Sequence, residues 1–288
     1  MYSNLKIGSP VKNEVEPMTD SAPLSWSPIE WEDPCGGIIR LWPFLPNVVL
    51  TASLRRTAGD WHGLAFLLPD DESEIWDDQA EQEKASPGIN RDSIAASGGT
   101  LARMMLGHSS IDSIQTCRFP DPEPRRLFQA AESPSGTGSR PIFFVEPEDE
   151  EWTQWVEDCA DEMVSLRHLT RSIFSGRIWN RMLREAMRCT SPPKSVRDDE
   201  KAHGLAQASA LAAAWWHRSE SVLSTELQTR RDLRLTSRLR GALGTLCGGQ
   251  VDDASTPVLL VPVMQAWMPS IHSALESSPL PEHVEEEE

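Results

Sequence analysis

The feature that most constrains the fold is a change in hydrophobic periodicity close to residue 148. After the acidic run 146–151, apolar residues recur every three or four positions from Trp152 onward, which is the spacing of a buried helical face. The sequence therefore predicts an α+β fold, in which a small antiparallel β-containing N-terminal region precedes an α-helical C-terminal region. Apolar runs typical of strands lie before the change, at 37–42, 47–56 and 61–68.

The turn composition of residues 57–60 predicts a hairpin between the runs 47–56 and 61–68. The acidic stretch 69–90 is typical of an exposed loop or a short surface helix. Further elements are expected as short helices at 100–106 and 123–132 and as a strand at 141–145.

Helical periodicity dominates the second half of the chain. The stretch 198–247 ends at Gly248–Gly249, a typical helix terminator. Because about fifty residues is long for one helix in a globular protein, we expect a break near 218–221 and two helices. Pro262 and Pro269 make 256–276 either a kinked helix or a strand followed by a helix.

These patterns divide the chain into four parts. Polar, proline-containing or acidic composition predicts disorder at both ends, and the periodicity separates two domains between them. The predicted parts are a disordered N-terminus (1–22), an acidic α+β domain (23–148), an α-helical domain (149–277) and a disordered acidic tail (278–288).

Charge is partitioned between consecutive blocks of the chain. Residues 1–163 contain 9 Arg and 3 Lys against 29 acids, whereas residues 164–251 contain 13 Arg and 2 Lys against 7 acids. Residues 252–288 hold eight acids and no Lys or Arg. Because net charge bears on association rather than on fold, this partition predicts either an intramolecular contact or an anionic partner for the basic block.

An amphipathic helix with a basic stripe is predicted within 230–240. At about 100° per residue, leucines at 235, 239, 243 and 246 fall on one face and arginines on another. Arginine forks bind carboxylates and phosphates, so the stripe predicts a partner-binding surface, with intramolecular pairing to the acidic N-terminal half as the alternative. The candidate residues are Arg230, Arg231, Arg234 and Arg238.

Two adjacent tryptophans, Trp215 and Trp216, follow a helix rich in small residues. Such a helix lets another helix approach closely, and core packing is one interpretation of the pair. Adjacent helical positions diverge by about 100°, so a second interpretation places these tryptophans at a partner interface.

Catalytic patterns are incomplete. Gly107-His108-Ser109 approaches a nucleophile elbow, but Ile111 stands where the second glycine belongs. Asp60 and His62 lie close together at a turn and form a candidate acid–base pair. A hydrolase using Ser109 or Asp60 and His62 is therefore kept as an alternative function.

The sequence predicts neither a cofactor nor a metal. The five cysteines include no C-x-x-C pair, and the histidines include no H-x-x-x-H pair. Residues 1–20 lack the apolar stretch of a signal peptide, and no window reaches the length of a membrane span. We expect an intracellular protein, cytoplasmic or nuclear.

Together these features predict a non-catalytic interaction, assembly or regulatory subunit with a protein partner. Its contact would be the arginine stripe with the tryptophan pair. Nucleic-acid binding through residues 167–240 is a further alternative, against which the acidic flanks count because they repel a polyanion.

Overall fold

The computed structural model describes residues 24–50, 57–112, 114–116, 118–132, 139–164, 175–192, 196, 199–249 and 256–284. The predicted disordered N-terminus (1–22) and the four final glutamates lie outside these ranges. The strands are β1 (Ile29–Glu32), β2 (Ile38–Phe44), β3 (Val48–Val49), β4 (Gly63–Phe66), β5 (Gln115–Thr116), β6 (Ile142–Phe144) and β7 (Val258–Met264). The helices are α1 (Glu72–Ala85), α2 (Ile89–Ser97), α3 (Thr100–Ser109), α4 (Pro122–Glu132), α5 (Glu150–Met163), α6 (Ser175–Cys189), α7 (Asp199–Glu220), α8 (Thr225–Gly248) and α9 (Met268–Glu276).

The main sheet has five strands in the order β1-β2-β7-β4-β6. Strand β1 is antiparallel to β2, whereas β7 is parallel to both β2 and β4, and β4 is parallel to β6. The central strand β7 comes from the segment that the sequence assigns to the helical region. Residues on both sides of position 148 therefore share one sheet.

The predicted α+β class is confirmed, since an N-terminal antiparallel pair precedes a mostly helical second half. The predicted hairpin between 47–56 and 61–68 is wrong: β3 pairs with β5, and β4 pairs in parallel with β6 and β7. The physical reason is burial. All four residues of β4 are buried, which is typical of a strand covered on both faces in a parallel arrangement.

Helices cover both faces of the sheet. On one face, side chains such as Leu41 and Val261 pack against leucines of α8, against α9 and against Trp152 of α5. On the other face, Phe66 and Phe144 pack against α1 and α4. The alternation of side chains along each strand places consecutive residues in different cores.

A second group of helices packs beside the sheet. Helices α3, α6 and α7 bury an apolar cluster that includes Met104, Trp179 and Leu211. A Cβ added at Gly107 would lie 2.8 Å from a Leu211 methyl carbon, so α3 and the alanine-rich α7 approach closely. Close approach is what the small residues of α7 predict.

The predicted break in 198–247 is confirmed, because α7 ends at Glu220 and α8 begins at Thr225. The segment 256–276 is a strand followed by a helix, the second of the two expectations. Within the ranges that the structure describes, no helix is both long enough and apolar enough to cross a membrane.

Candidate interaction site

Helix α8 is oriented by its leucines. Leu235, Leu239 and Leu243 are nearly inaccessible to solvent and belong to the core under the sheet. The Ser224 hydroxyl accepts from the Leu227 amide and caps the helix. Because the leucine face of α8 is buried, the predicted arginines lie on other sides of the helix, where they contact three different sets of partners.

The first set of partners lies on α5 and in the loop before this helix. Arg230 Nη1 donates to Asp158 Oδ2 at 3.2 Å, and Arg234 Nη1 donates to Glu151 Oε2 at 2.9 Å. Arg234 Nη2 also donates to Asp149. The Asp149 carboxylate caps α5 by accepting from the Trp152 amide at 2.9 Å, so the arginines and the dipole of α5 use the same acids.

The second set of partners belongs to the PLPEHV segment, which we define as residues 279–284. Glu282 Oε2 lies 2.7 Å from Arg234 Nε, and Glu282 Oε1 accepts from Arg238 Nη1 at 3.2 Å. Arg238 Nε also donates to the Val145 carbonyl at 2.8 Å. One carboxylate outside α8 thus bridges two arginines one turn apart.

The PLPEHV segment is also held through its backbone. The Glu282 amide donates to the Ser237 carbonyl at 3.0 Å, and the Ser237 hydroxyl donates to the Leu280 carbonyl. Thr245 Oγ1 donates to the Val284 carbonyl at 3.3 Å. We call the receiving surface the α8 groove; its residues are Arg234, Ser237, Arg238, Gly241 and Thr245.

Gly241 sets the depth of the α8 groove. A Cβ added there would lie 1.5 Å from the Glu282 carbonyl oxygen, a separation that no rearrangement of a side chain relieves. Any residue larger than glycine therefore pushes the segment off the helix. Gly244, one turn along, has no atom within 4 Å of its added Cβ.

Arg231 belongs to a different, buried environment. Its guanidinium donates twice to Glu220, at 2.8 Å each, and its Nε donates to Asp232 Oδ1 at 2.9 Å. The same guanidinium lies over the rings of Trp216 and Trp267, at 5.4 and 4.7 Å from their centroids. Only 9% of its side chain is exposed, so Arg231 joins α7, α8 and α9 rather than presenting a charge to solvent.

The two adjacent tryptophans contact each other edge to face, with ring centroids 6.4 Å apart, but they pack against different neighbours. Trp215 is half-buried and packs against the cluster of α3, α6 and α7, whereas Trp216 packs against Trp267 with ring centroids 4.9 Å apart and the ring planes tilted by 33°. Their divergence by about 100° lets each tryptophan contact a different part of the same molecule.

Arg234 and the carboxylates around it stabilise each other's charged forms. Burial opposes the charge of Arg234, but the hydrogen bond and the attraction of Glu282, with Asp149 and Glu151, raise its pKa above the usual range. The Trp152 amide, aided by Arg234, lowers the pKa of Asp149 against the effect of burial. Both groups therefore remain ionised at neutral pH.

The residues of the hydrolase alternative are engaged in the fold. The Ser109 hydroxyl donates to the Met105 carbonyl one turn earlier, and the buried His108 Nε2 bonds the Ala208 carbonyl. The Val258 amide donates to His62 Nδ1 at 3.0 Å, which fixes β4 to β7. Arg40 Nη1 donates to the main-chain carbonyl of Asp60 at 2.9 Å, a contact that does not involve the Asp60 carboxylate.

A second concentration of charge lies near the carboxyl ends of β4 and β6. Burial raises the pKa of both Glu72 and Glu146, and the charge of Asp71 adds to this effect at both. Burial also raises the pKa of Asp121 to about 7. No group of three or more metal-ligating side chains is arranged to hold a metal ion in the described part of the chain.

Sequence reasoning missed the residues that receive the segment, and it missed Glu282 and Val284 themselves. A signal was present: Ser237, Gly241 and Thr245 repeat every four residues beside Arg234 and Arg238. Small side chains on one helical face next to charges are typical of a close contact with another backbone.

Comparison with protein-family models, with curated proteins and with solved structures finds no match. The contacts of α8 are therefore the basis for assigning a function.

Proposed function

We propose that this protein is a non-catalytic interaction or assembly subunit, and that the arginine face of α8 contacts an acidic segment of a partner protein. The supporting observation is the seating of Glu282 between Arg234 and Arg238. Those arginine side chains keep 22% and 18% of their surface exposed, so solvent reaches them. Arginine forks suit carboxylates in both geometry and charge.

The role of Arg231 differs from that of its neighbours in this proposal. Its charge is already neutralised by Glu220 and Asp232 inside the protein. We therefore assign the contact to Arg230, Arg234 and Arg238 and treat Arg231 with Trp216 as the anchor that positions the helix.

A protein partner fits this face better than a nucleic acid does. If a partner carboxylate takes the place of Glu282, the number of negative charges beside the arginines stays the same. A nucleic acid carries a phosphate at every nucleotide, and its further phosphates would meet Asp149, Glu151 and Asp158 beside the arginines. Like charges at such distances disfavour the polyanion.

The test is affinity capture from the native source at moderate salt, with the full-length chain as bait and mass spectrometry of the eluate. Arg234→Glu combined with Arg238→Glu should reduce recovery of the partner at least about tenfold, which corresponds to about 1.4 kcal/mol. Arg177→Glu is the matched control, because Arg177 is an exposed arginine of the same basic block on α6.

The three baits are compared after circular dichroism and thermal unfolding show that each is folded. A partner recovered equally with all three baits contradicts the proposal, as does a partner lost equally with the double variant and with Arg177→Glu. Nuclease treatment that releases the captured material would favour the nucleic-acid alternative instead.

A further inference from the structure

We propose that the α8 groove is a receptor for extended protein segments of one chemistry, a carboxylate placed two residues before an aliphatic side chain, and that the PLPEHV segment of this chain is its resident competitor. The inference rests on the proposed function and names the partner's chemistry and the regulation of the same surface.

From Pro281 to Val284 the side chains of the PLPEHV segment alternate between solvent and the protein, whereas Leu280, which has the same parity as Glu282 and Val284, is exposed. Val284 is 3% exposed and belongs to the main core, and Glu282 is directed to the arginines. Leu280 is 86% exposed, and Pro281 and His283 are also exposed. A period of two is the signature of an extended chain, so the groove recognises Glu282 and Val284 and makes no selection at position 283.

The backbone contacts of the groove do not depend on the identity of the bound side chains. Ser237 bonds the chain on both sides of position 281, and Thr245 bonds the carbonyl of residue 284. Arg240 Nη1 bonds the Pro279 carbonyl. Main-chain bonds provide affinity for any extended segment, while alternate side-chain sites provide specificity.

Selectivity comes from charge and from the depth of the groove. A carboxylate at the position of Glu282 satisfies Arg234 and Arg238, which an uncharged side chain leaves with fewer partners. Because Gly241 has no Cβ, an extended backbone fits against it at the position of residue 282. A Cβ at residue 241 would exclude that backbone. The apolar position next to the core accepts an aliphatic side chain in place of Val284.

The PLPEHV segment can leave without dismantling the sheet. Its hydrogen bonds and ion pairs in the described residues are made to α8, whereas the strands of the sheet pair with one another. Residues 277 and 278, which join it to α9, are exposed, and Ser278 has a left-handed φ of 50°. Segments held at one surface open at lower free energy than the whole fold, and opening of this one also withdraws Val284 from the core.

The experiment measures binding of a labelled, C-terminally amidated peptide, SSPLPEHV, to the full-length protein by fluorescence anisotropy. The Glu282→Ala protein, whose own segment is weakened, should bind the peptide at least about tenfold more tightly than the unmodified protein, because occupancy by the resident segment lowers the apparent affinity. Leu280→Ser is the matched control, since its exposed side chain makes no contribution to seating, and it should bind as the unmodified protein does.

Peptide variants test which positions the groove recognises. The same peptide carrying E282A or V284S should lose at least about tenfold in affinity for the Glu282→Ala protein, whereas the peptide carrying H283A should keep it. The protein combining Glu282→Ala with Gly241→Ala should bind no peptide, while Glu282→Ala with Gly244→Ala should bind it normally.

Equal peptide binding by the unmodified and Glu282→Ala proteins would overturn the inference, as would binding that survives Gly241→Ala. These results are independent of partner capture. If the captured partner depends on Arg234 and Arg238 but no peptide binds, the proposed interaction function stands and the proposed receptor chemistry is wrong.

Discussion

Arg240 and Asp33, which lie 207 positions apart in the chain, form a buried ion pair held by two hydrogen bonds of 2.7 and 2.9 Å. Their side chains are 5% and 3% exposed. Arg240 lies on α8, and Asp33 follows β1 at the turn that leads into β2. The pair therefore fixes the C-terminal half of α8 to the edge of the sheet.

Replacing Arg240 with Met should lower the free energy of unfolding by about 3–5 kcal/mol, because it leaves the Asp33 carboxylate buried without its partner. Adding Asp33→Asn to the same protein should restore part of that loss. Chemical denaturation of both single variants and of the double variant measures the coupling. A double variant whose loss equals the sum of the single losses would contradict a direct interaction.

The same pair predicts a dependence on pH. Burial raises the pKa of Asp33, but the hydrogen bonds from Arg240 and from the Cys35 amide, together with the charge of Arg240, more than offset it, so the net pKa is lowered. A lowered pKa contributes stability that is complete above the ordinary carboxyl pKa and is lost as the pH falls through the folded-state value. Denaturation as the pH falls below about 4, the ordinary value for Asp, should show a shallower acid loss in Asp33→Asn than in the unmodified protein.

Arg230 and Arg231 are neighbours in sequence but should respond very differently to substitution. Arg231→Ala leaves Glu220 and Asp232 without their cation and should cost about 3 kcal/mol or more in unfolding free energy. Arg230→Ala removes a side chain that is 38% exposed and should cost less than about 1 kcal/mol. Equal losses in urea denaturation would show that the burial of Arg231 carries no energetic consequence.

Gly241→Ala should displace the PLPEHV segment, because the new Cβ would overlap the backbone of Glu282. The expected results are a lower Tm and faster cleavage near residues 277–284 in limited proteolysis. Gly244→Ala is the control: it meets open space and should keep the Tm or raise it, since alanine favours a helix over glycine by about 1 kcal/mol. Similar proteolysis of both variants would contradict the proposed packing.

The raised pKa of Asp121 should make the free energy of unfolding decrease as the pH rises. Burial raises its pKa to about 7, so the folded protein retains a proton that the unfolded chain has already released. Stability associated with this group is greatest below the ordinary carboxyl pKa and falls until the pH exceeds the folded-state value. Asp121→Asn should therefore stabilise the protein at pH 8 by at least about 1 kcal/mol and have a smaller effect at pH 4. An equal effect at both pH values would show that Asp121 ionises normally.

Much of the local structure could be predicted from the sequence, because it depends on neighbouring residues. The Gly248–Gly249 end of α8, the break between α7 and α8, and the burial of Leu235 and Leu239 follow from helix periodicity and from terminating residues. The helical periodicity that follows the acidic run 146–151 corresponds to α5, which Asp149 caps.

The pairing of strands could not be predicted in this way. The runs 47–56 and 61–68 are close in sequence, with turn residues between them, yet β4 pairs with β7, almost two hundred residues later. A continuous apolar strand gains more by burial on both faces between two neighbouring strands than by forming a local hairpin with one face exposed. That comparison involves chain segments that no local pattern relates.

The same distinction between local and long-range features applies to the candidate site. Charge partition and the 3.6-residue period placed the arginines on an amphipathic helix, since both are properties of consecutive residues. Which arginine is buried against Trp216 and which holds Glu282 depends on where α5, α9 and the PLPEHV segment cross α8. Those crossings are set by the packing of the whole core, and an ion pair between distant positions exists only once that packing has brought its two side chains together.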